Sequence, residues 1–197
     1  MASEITDIVF DLEGNFLPEG YGALLWKELV LALPWLENQN PAGILPIKGA
    51  SSGKGLLLPR RAKLALRIPA EFFRNALDLE GKTIEVGEST LKIGRGKERR
   101  IEAYPTLNSH FVVSEMDETD FLHDAEEKMG ELGIACKLIC GKHQALKYGT
   151  ETLSGYSLVA YDLKPPGSIR LQHSGLGSHR HIGCGFFVPH KTIAGLE

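Results

Sequence analysis

Gly175-Leu176-Gly177-Ser178-His179-Arg180-His181-Ile182-Gly183-Cys184-Gly185 is the stretch on which the reading of this chain turns. Two Gly-x-Gly pairs bracket five residues, and three of the five carry or can acquire positive charge: His179, Arg180 and His181. Glycine takes positive φ at little cost and lets backbone approach a ligand closely. A run of such residues aims several N–H groups at one anion, and Arg180 adds a bidentate phosphate donor. Without context the stretch is either a flexible connector or a cradle for a phosphodiester, and glycine spacing alone does not separate the two. Pro165–Ser174 ahead of it reads as a short helix, and Ile182–Val188 behind it reads as a buried strand. The loop therefore joins a last helix to a last strand.

Working outward, the second half of the chain supplies the rest of that unit. His110–Glu115 reads as a strand. Asp117 or Thr119 caps a helix that carries Phe121, Leu122, Ala125, Met129 and Leu132 and closes at Gly133. Ile134–Ile139 is a further strand, and Ala145–Tyr148 with Leu153–Leu163 forms a pairing region. The order is β-α-β-β-α-β, the ferredoxin-like arrangement. The first half shows the same order. Ile8, Phe10 and Leu12 alternate with Asp7, Asp11 and Glu13, as in a half-buried strand. Tyr21, Leu24, Leu25, Leu29, Ala32 and Leu33 make a helical stripe that Pro34 ends. Ile44–Ile47, Leu56–Leu58 and Lys63–Ile68 read as strands, with Lys48–Gly55 as a glycine- and serine-rich loop. Pro69 opens a short helix, and Lys82–Val86 with Leu91–Gly94 forms a hairpin. Residues 95–108 are basic with little apolar periodicity and read as the connection between halves. The expected fold is α+β: two tandem ferredoxin-like (RRM-like) domains, 1–98 and 99–197, with a C-terminal Gly-rich loop.

Composition bounds the function. With 197 residues, 43% hydrophobic and 24% charged, the chain suits a globular protein of one larger or two small domains. Net charge is −3, so a nucleic-acid surface has to be a local patch. Cys136, Cys140 and Cys184 lack a pairing pattern, which suggests a reducing compartment. The first residues lack the apolar core of a signal peptide, and no apolar run approaches a membrane span. The expected location is the cytoplasm, with no membrane partner.

Three segments carry a resemblance. They are Leu17-Pro18-Glu19-Gly20-Tyr21-Gly22-Ala23-Leu24 with Leu33-Pro34-Trp35-Leu36, then Gly43-Ile44-Leu45-Pro46-Ile47-Lys48-Gly49, then Gly175 through Pro189. Together with the duplicated β-α-β-β-α-β order, they resemble the CRISPR-associated repeat-processing endoribonucleases of the RAMP superfamily, in particular the MYXAN-type subgroup. The resemblance implies metal-independent cleavage of the repeat in a precursor CRISPR RNA. The 2′-hydroxyl attacks the adjacent phosphorus and leaves a 2′,3′-cyclic phosphate and a 5′-hydroxyl. It also implies an enzyme that keeps its crRNA product and joins a type I surveillance complex, and it implies no cofactor. One departure stands out: members tend to carry histidines where this chain has Glu19 and Leu45, and no histidine precedes His110.

Candidate roles follow. The reaction needs a base, an acid and positive charge on the phosphoryl oxygens. Tyr21 and Lys48 are the catalytic candidates. RNA contacts are assigned to Lys54, Arg60, Arg61, Arg99 and Arg100, and to Gly175, Gly177, Ser178, His179, Arg180, His181, Gly183 and Gly185 of the loop. The spacing of His179, His181 and Cys184 is unusual for zinc, and no metal site is expected. Two rivals stay open: a non-catalytic repeat-RNA-binding subunit of the same complex, and a nucleotide-binding enzyme. The second is disfavoured because Gly49-Ala-Ser-Ser-Gly53-Lys54 is one residue too short for a P-loop and has no Ser/Thr after the lysine.

Overall fold

The alternation around Phe10 becomes strand β1 (Ile5–Glu13) in the computed structural model, which describes residues 4–190. β2 (Phe16–Pro18) and helix α1 (Tyr21–Ala32) follow, then β3 (Gly43–Ile44), β4 (Ala50–Ser52), β5 (Gly55–Leu57) and β6 (Lys63–Pro69). A single-turn helix α2 (Phe73–Ala76), flanked by 3-10 turns, leads to β7 (Thr83–Val86) and β8 (Ser89–Arg99). Five of these strands form one sheet in the order β3-β6-β1-β8-β7, and β2-β5-β4 form a second. Each pairing is antiparallel. Among β1, β3, β6 and β8 the first strand lies between the third and fourth, with the second outermost. That is the ferredoxin-like order, with β7 added as a hairpin on the far edge.

The later elements are β9 (Leu107–Val113), α3 (Glu118–Glu131), β10 (Lys137–Tyr148), β11 (Glu151–Tyr161), α4 (Pro165–Ser174) and β12 (Val188–Pro189). Their sheet runs β10-β11-β9-β12, the same ferredoxin-like order. Asp117 caps α3 by accepting the Asp120 amide at 2.9 Å. The chain divides into two compact units. The first holds residues up to Ile101 with Leu146–Leu153 and His179–Gly183; the second holds Glu102–Ala145, Ser154–Ser178 and the chain from Cys184 onward. Among the described residues no helix is long and apolar enough to cross a membrane.

Each unit has its own core. In the first, Ile8, Phe10 and Leu12 of β1 pack with Leu25 and Leu29 of α1 and Leu64, Leu66 and Ile68 of β6. In the second, Phe121, Ala125 and Met129 of α3 meet Leu107, Leu158 and Ala160. Each large buried side chain contributes about 1.5–3 kcal/mol of transfer free energy. Asp7 and Arg67, on the sheet strands of the first unit, are also buried. The Arg67 guanidinium grips Asp7 with Nε donating to Oδ1 at 2.7 Å and Nη2 to Oδ2 at 3.2 Å. Burial of such a charge is tolerated because it is paired in this forked geometry.

The structure corrects the sequence reading in several places. The stretch 95–99 is strand, not connector: β8 runs to Arg99, opposite Asp7 of β1. Gly96 lies there against the Phe10 ring, so the core contact is supplied by β1 rather than by an apolar residue of β8. Ser51 and Ser52 belong to β4 rather than to a loop. Leu24, placed on the buried stripe of α1, is 42% exposed. The last strand is only Val188–Pro189, because residues 180–182 form a 3-10 turn ahead of it.

Candidate functional site

All the segments described next belong to the first unit. The start of α1 is fixed at two points. Gly20 takes the left-handed conformation (φ 71°) just before the helix, and the Tyr21 hydroxyl accepts the Ile47 amide at 3.1 Å. That bond ties the first turn of α1 to the segment that follows β3. Burial pushes the Tyr21 phenol pKa up, and the Ile47 amide pulls the other way.

The turn 179–183 is built by two consecutive backbone bonds, Ile182 N–H to the His179 carbonyl at 3.2 Å and Gly183 N–H to the Arg180 carbonyl at 2.9 Å. His179 is left-handed at φ 58°, uncommon for a residue with a Cβ. Gly183 ends the turn at φ 99°, where a side chain would be strained, and a Cβ there would stand 2.7 Å from the Ile44 carbonyl oxygen. On its other side the turn meets α1: a Cβ on Gly22 would lie 3.1 Å from that of Ile182.

The tip of the β10–β11 hairpin completes the group. Lys147 Nζ donates to Glu19 Oε2 at 2.9 Å, and the Lys147 carbonyl lies close over Gly20. The next residue, Tyr148, stands edge-on to both imidazoles, with centroid separations of 4.9 Å to His179 and 5.9 Å to His181. The His179 and His181 rings are themselves 5.9 Å apart and tilted by 30°. The Trp26 ring of α1 lies 5.7 Å from His181. Tyr148 Oη and His181 Nε2 are hydrogen-bonded at 3.3 Å, the tautomer deciding which donates.

This environment sets the charges. Burial lowers the His181 pKa, and the neighbouring His179 lowers it further. Burial also lowers that of Arg180, though a guanidinium stays charged through any ordinary pH. A neutral imidazole beside a cation and a second imidazole is a suitable set for moving protons next to an anion.

The structure thus gathers residues from the three motif segments: Tyr21, the Ile44–Ile47 backbone, and His179, Arg180, His181 and Gly183. Lys48 is exposed one residue beyond the amide that Tyr21 holds. The Lys54 carbonyl accepts the Glu19 amide at 3.1 Å, which puts its exposed side chain next to the approach to α1. Arg60 and Arg61 are exposed in the turn between β5 and β6. Arg99 is committed to Asp7 through a 3.0 Å ion pair, and Arg100 lies 4.0 Å from Glu98. Gly175, Gly177, Ser178 and Gly185 fall in the second unit. There Leu176 N–H donates to the Gly185 carbonyl at 3.0 Å and Gly185 N–H to the Phe111 carbonyl at 2.7 Å. Gly185, at φ 69°, has no room for a Cβ beside the Leu176 carbonyl. At this position glycine serves the loop's own closure.

The positions at which histidines were expected are otherwise employed. Glu19 is the partner of Lys147, and Leu45 is 4% exposed in the core. Tyr148, Trp26 and Lys147 join the site without a motif to mark them in the sequence, where Tyr148 reads only as the end of a strand. Among the described residues no group of three or more His, Cys, Asp or Glu side chains is disposed to hold a metal ion. Cys184, in the second unit, is buried, which pushes its thiol pKa up to about 12.

Comparison with known proteins gives a consistent picture. The family model described as Cas6 Crispr matches residues 6–192. A curated protein of Myxococcus xanthus (strain DK1622), the CRISPR-associated endonuclease Cas6, is 29% identical over 193 residues, covering 97% of this chain and 84% of that protein. A solved structure described as CRISPR associated protein Cas6 superposes with a TM-score of 0.67 at 12% identity, covering 95% of this chain and all of that one. A second, described as a RAMP protein binding different RNA substrates, gives 0.66 at 14% identity, covering 92% and 98%. These structural likenesses show the shared fold, two tandem ferredoxin-like domains.

Proposed function

Because the chain belongs to the Cas6 family, we propose that it is an endoribonuclease that cuts CRISPR repeat RNA to make crRNA, without a metal. The 2′-hydroxyl attacks the adjacent phosphorus, and the products are a 2′,3′-cyclic phosphate and a 5′-hydroxyl. The relative in Myxococcus xanthus is named an endonuclease, and a protein of the same fold is described as binding RNA. The observation that carries the reading is the meeting of three distant segments, 19–22, 44–48 and 179–183, around half-buried imidazoles and an arginine.

Within this reading Arg180 grips a non-bridging phosphate oxygen. Lys48 adds positive charge as the phosphorane forms. Tyr21, whose oxygen already accepts the Ile47 amide, donates its own proton to a phosphoryl oxygen. Its raised pKa suits a donor and not a base. Lys54, Arg60, Arg61, Arg99, Arg100 and the loop glycines form the wider RNA surface, carried on halves 1–98 and 99–197. The enzyme works in the cytoplasm, keeps its crRNA and enters a type I surveillance complex.

The second reading, a repeat-RNA-binding subunit without activity, is favoured by one observation: Glu19 and Leu45 are an ion pair and a core residue where acid–base groups were expected. Incubation of the protein with repeat RNA in EDTA separates the two. A product ending in a cyclic phosphate supports the nuclease. Tight binding without product supports the subunit, and neither binding nor product sinks both.

A further inference from the structure

The chemistry just described lacks a named base and a named acid. We propose that His181 and His179 are that pair, with His181 as the general base and His179 as the general acid, and with Tyr148 as the residue that positions them. The proposal rests on the ribonuclease reading and assigns the proton transfers within it.

Three geometric facts support it. The two imidazoles are 5.9 Å apart on either side of Arg180 in the sequence, and both are half-buried rather than lost in the core. An in-line displacement needs proton acceptor and donor at opposite ends of one phosphoryl group. Two imidazoles at this separation are spaced to meet that requirement. Second, both rings lean on one side chain, Tyr148, edge-on at 82° and 75°, so their spacing is held by packing rather than left to free rotamers. Third, Tyr148 Oη engages Nε2 of His181, and among the described residues no hydrogen bond engages its Nδ1. When Nε2–H donates to Tyr148, the Nδ1 lone pair is left as the base.

The environment separates the roles. His181 is held towards its neutral form by burial and by His179. An imidazole held neutral in this way is ready to accept a proton, which is the base's part. The charged and titratable groups near the pair include Arg180 on the same turn, Tyr148 and Lys147 from the hairpin tip, and Glu19 and Tyr21 at the start of α1. Glu19 is occupied by Lys147 at 2.9 Å. The β3 segment sets the Ile44 carbonyl and the Pro46 ring against Gly183 of the turn.

The step balances. His181 Nδ1 takes the proton of the 2′-hydroxyl as the 2′-oxygen bonds to phosphorus. The bond from phosphorus to the 5′-oxygen breaks, and protonated His179 gives its proton to that oxygen. One proton enters the pair and one leaves it, and no water is consumed.

The test is single-turnover cleavage of repeat RNA across pH by the full chain and by His179→Gln, His181→Gln and the surface control His123→Gln. Two substrates are used: the ordinary RNA, and one with sulfur replacing the 5′-bridging oxygen at the cut site, a leaving group that needs no acid. Binding of an uncleavable 2′-deoxy repeat reports the integrity of each variant. Expected is a bell-shaped profile for the wild type and a loss of about 10²–10⁴-fold for each His variant on ordinary RNA. The sulfur substrate restores His179→Gln and leaves His181→Gln slow, and His123→Gln behaves as wild type. If the wild type cuts neither substrate, the ribonuclease reading itself falls. If the wild type cuts but both variants keep its rate, or sulfur rescues neither or only His181→Gln, the assignment alone is overturned. Loss of binding in step with loss of rate, without rescue, makes the turn a binding element only.

Discussion

The Tyr148 hydroxyl is 3.3 Å from Nε2 of His181, and these residues lie 33 positions apart on different elements. The bond links the tip of a β-hairpin to a five-residue turn built on a single 3-10 turn. Removing the hydroxyl while keeping the ring is therefore informative. Tyr148→Phe should leave RNA affinity unchanged and slow cleavage by about 10-fold, the loss of one hydrogen bond of about 1–1.5 kcal/mol. With Nε2–H of His181 donating to Tyr148, as the base assignment requires, the substitution removes an acceptor that favours the imidazolium, and the rising limb of the pH–rate profile should move to lower pH. A limb that stays in place would show that the bond does not tune His181.

Arg180→Ala should weaken binding of uncleavable repeat RNA by about 1.5–3 kcal/mol, or about 10- to 150-fold, if the guanidinium meets a desolvated phosphate. The measurement is a gel-shift titration at fixed salt. Wild-type affinity would remove the turn from the RNA surface.

Lys48→Ala and Tyr21→Phe should slow single-turnover cleavage more than they weaken binding, because a contact made in the transition state lowers the rate of the bound complex. Full activity in both variants would take Tyr21 and Lys48 out of the chemistry and leave the imidazoles as the reacting groups.

Acid should destabilise the fold partly through His181. Burial and the neighbouring His179 hold its folded pKa below the ordinary imidazole value of about 6.5, so between these two values the unfolded chain binds more protons. The contribution is fully present above about pH 6.5 and is lost as pH falls through the folded pKa. Thermal melts should show a smaller decline of Tm on that side of neutrality for His181→Gln than for wild type. Identical declines would show that His181 is not held neutral.

Asp7→Ala should be the most damaging of these changes to stability. It takes the carboxylate from a 1% exposed arginine, and breaking a buried pair in this way costs about 3–5 kcal/mol. A Tm within a degree of wild type would mean that Arg67 is held by its other contacts.

The sequence showed the fold through its periodicities. Ile8, Phe10 and Leu12 alternate because one face of β1 meets α1, and that pattern is local. The strand character of residues 95–99 was hidden because its support is not local: Gly96 is covered by the Phe10 ring of β1, and Arg99 is paired with Asp7. The end of the chain misled for the opposite reason. Ile182, Phe186 and Phe187 are apolar as in a strand, but Gly183 and Gly185 both take positive φ and turn the backbone instead. Within the site, the motif segments drew attention to Tyr21 and the 179–183 turn. Tyr148 gave no signal, since an aromatic residue at a strand end looks the same whether or not imidazoles come to rest against it.

Gly183 bears on how such a chain can diverge. Its missing side chain makes room for the carbonyl of Ile44, a backbone atom that no substitution at position 44 can withdraw. The glycine is therefore barred from drifting whatever RNA the protein meets. Its retention among descendants would record a steric debt to a distant strand, not selection by the ligand. Constancy at position 183 alone is therefore no evidence that the glycine touches RNA, whereas constancy at position 180, which holds an arginine that burial does not require, would be.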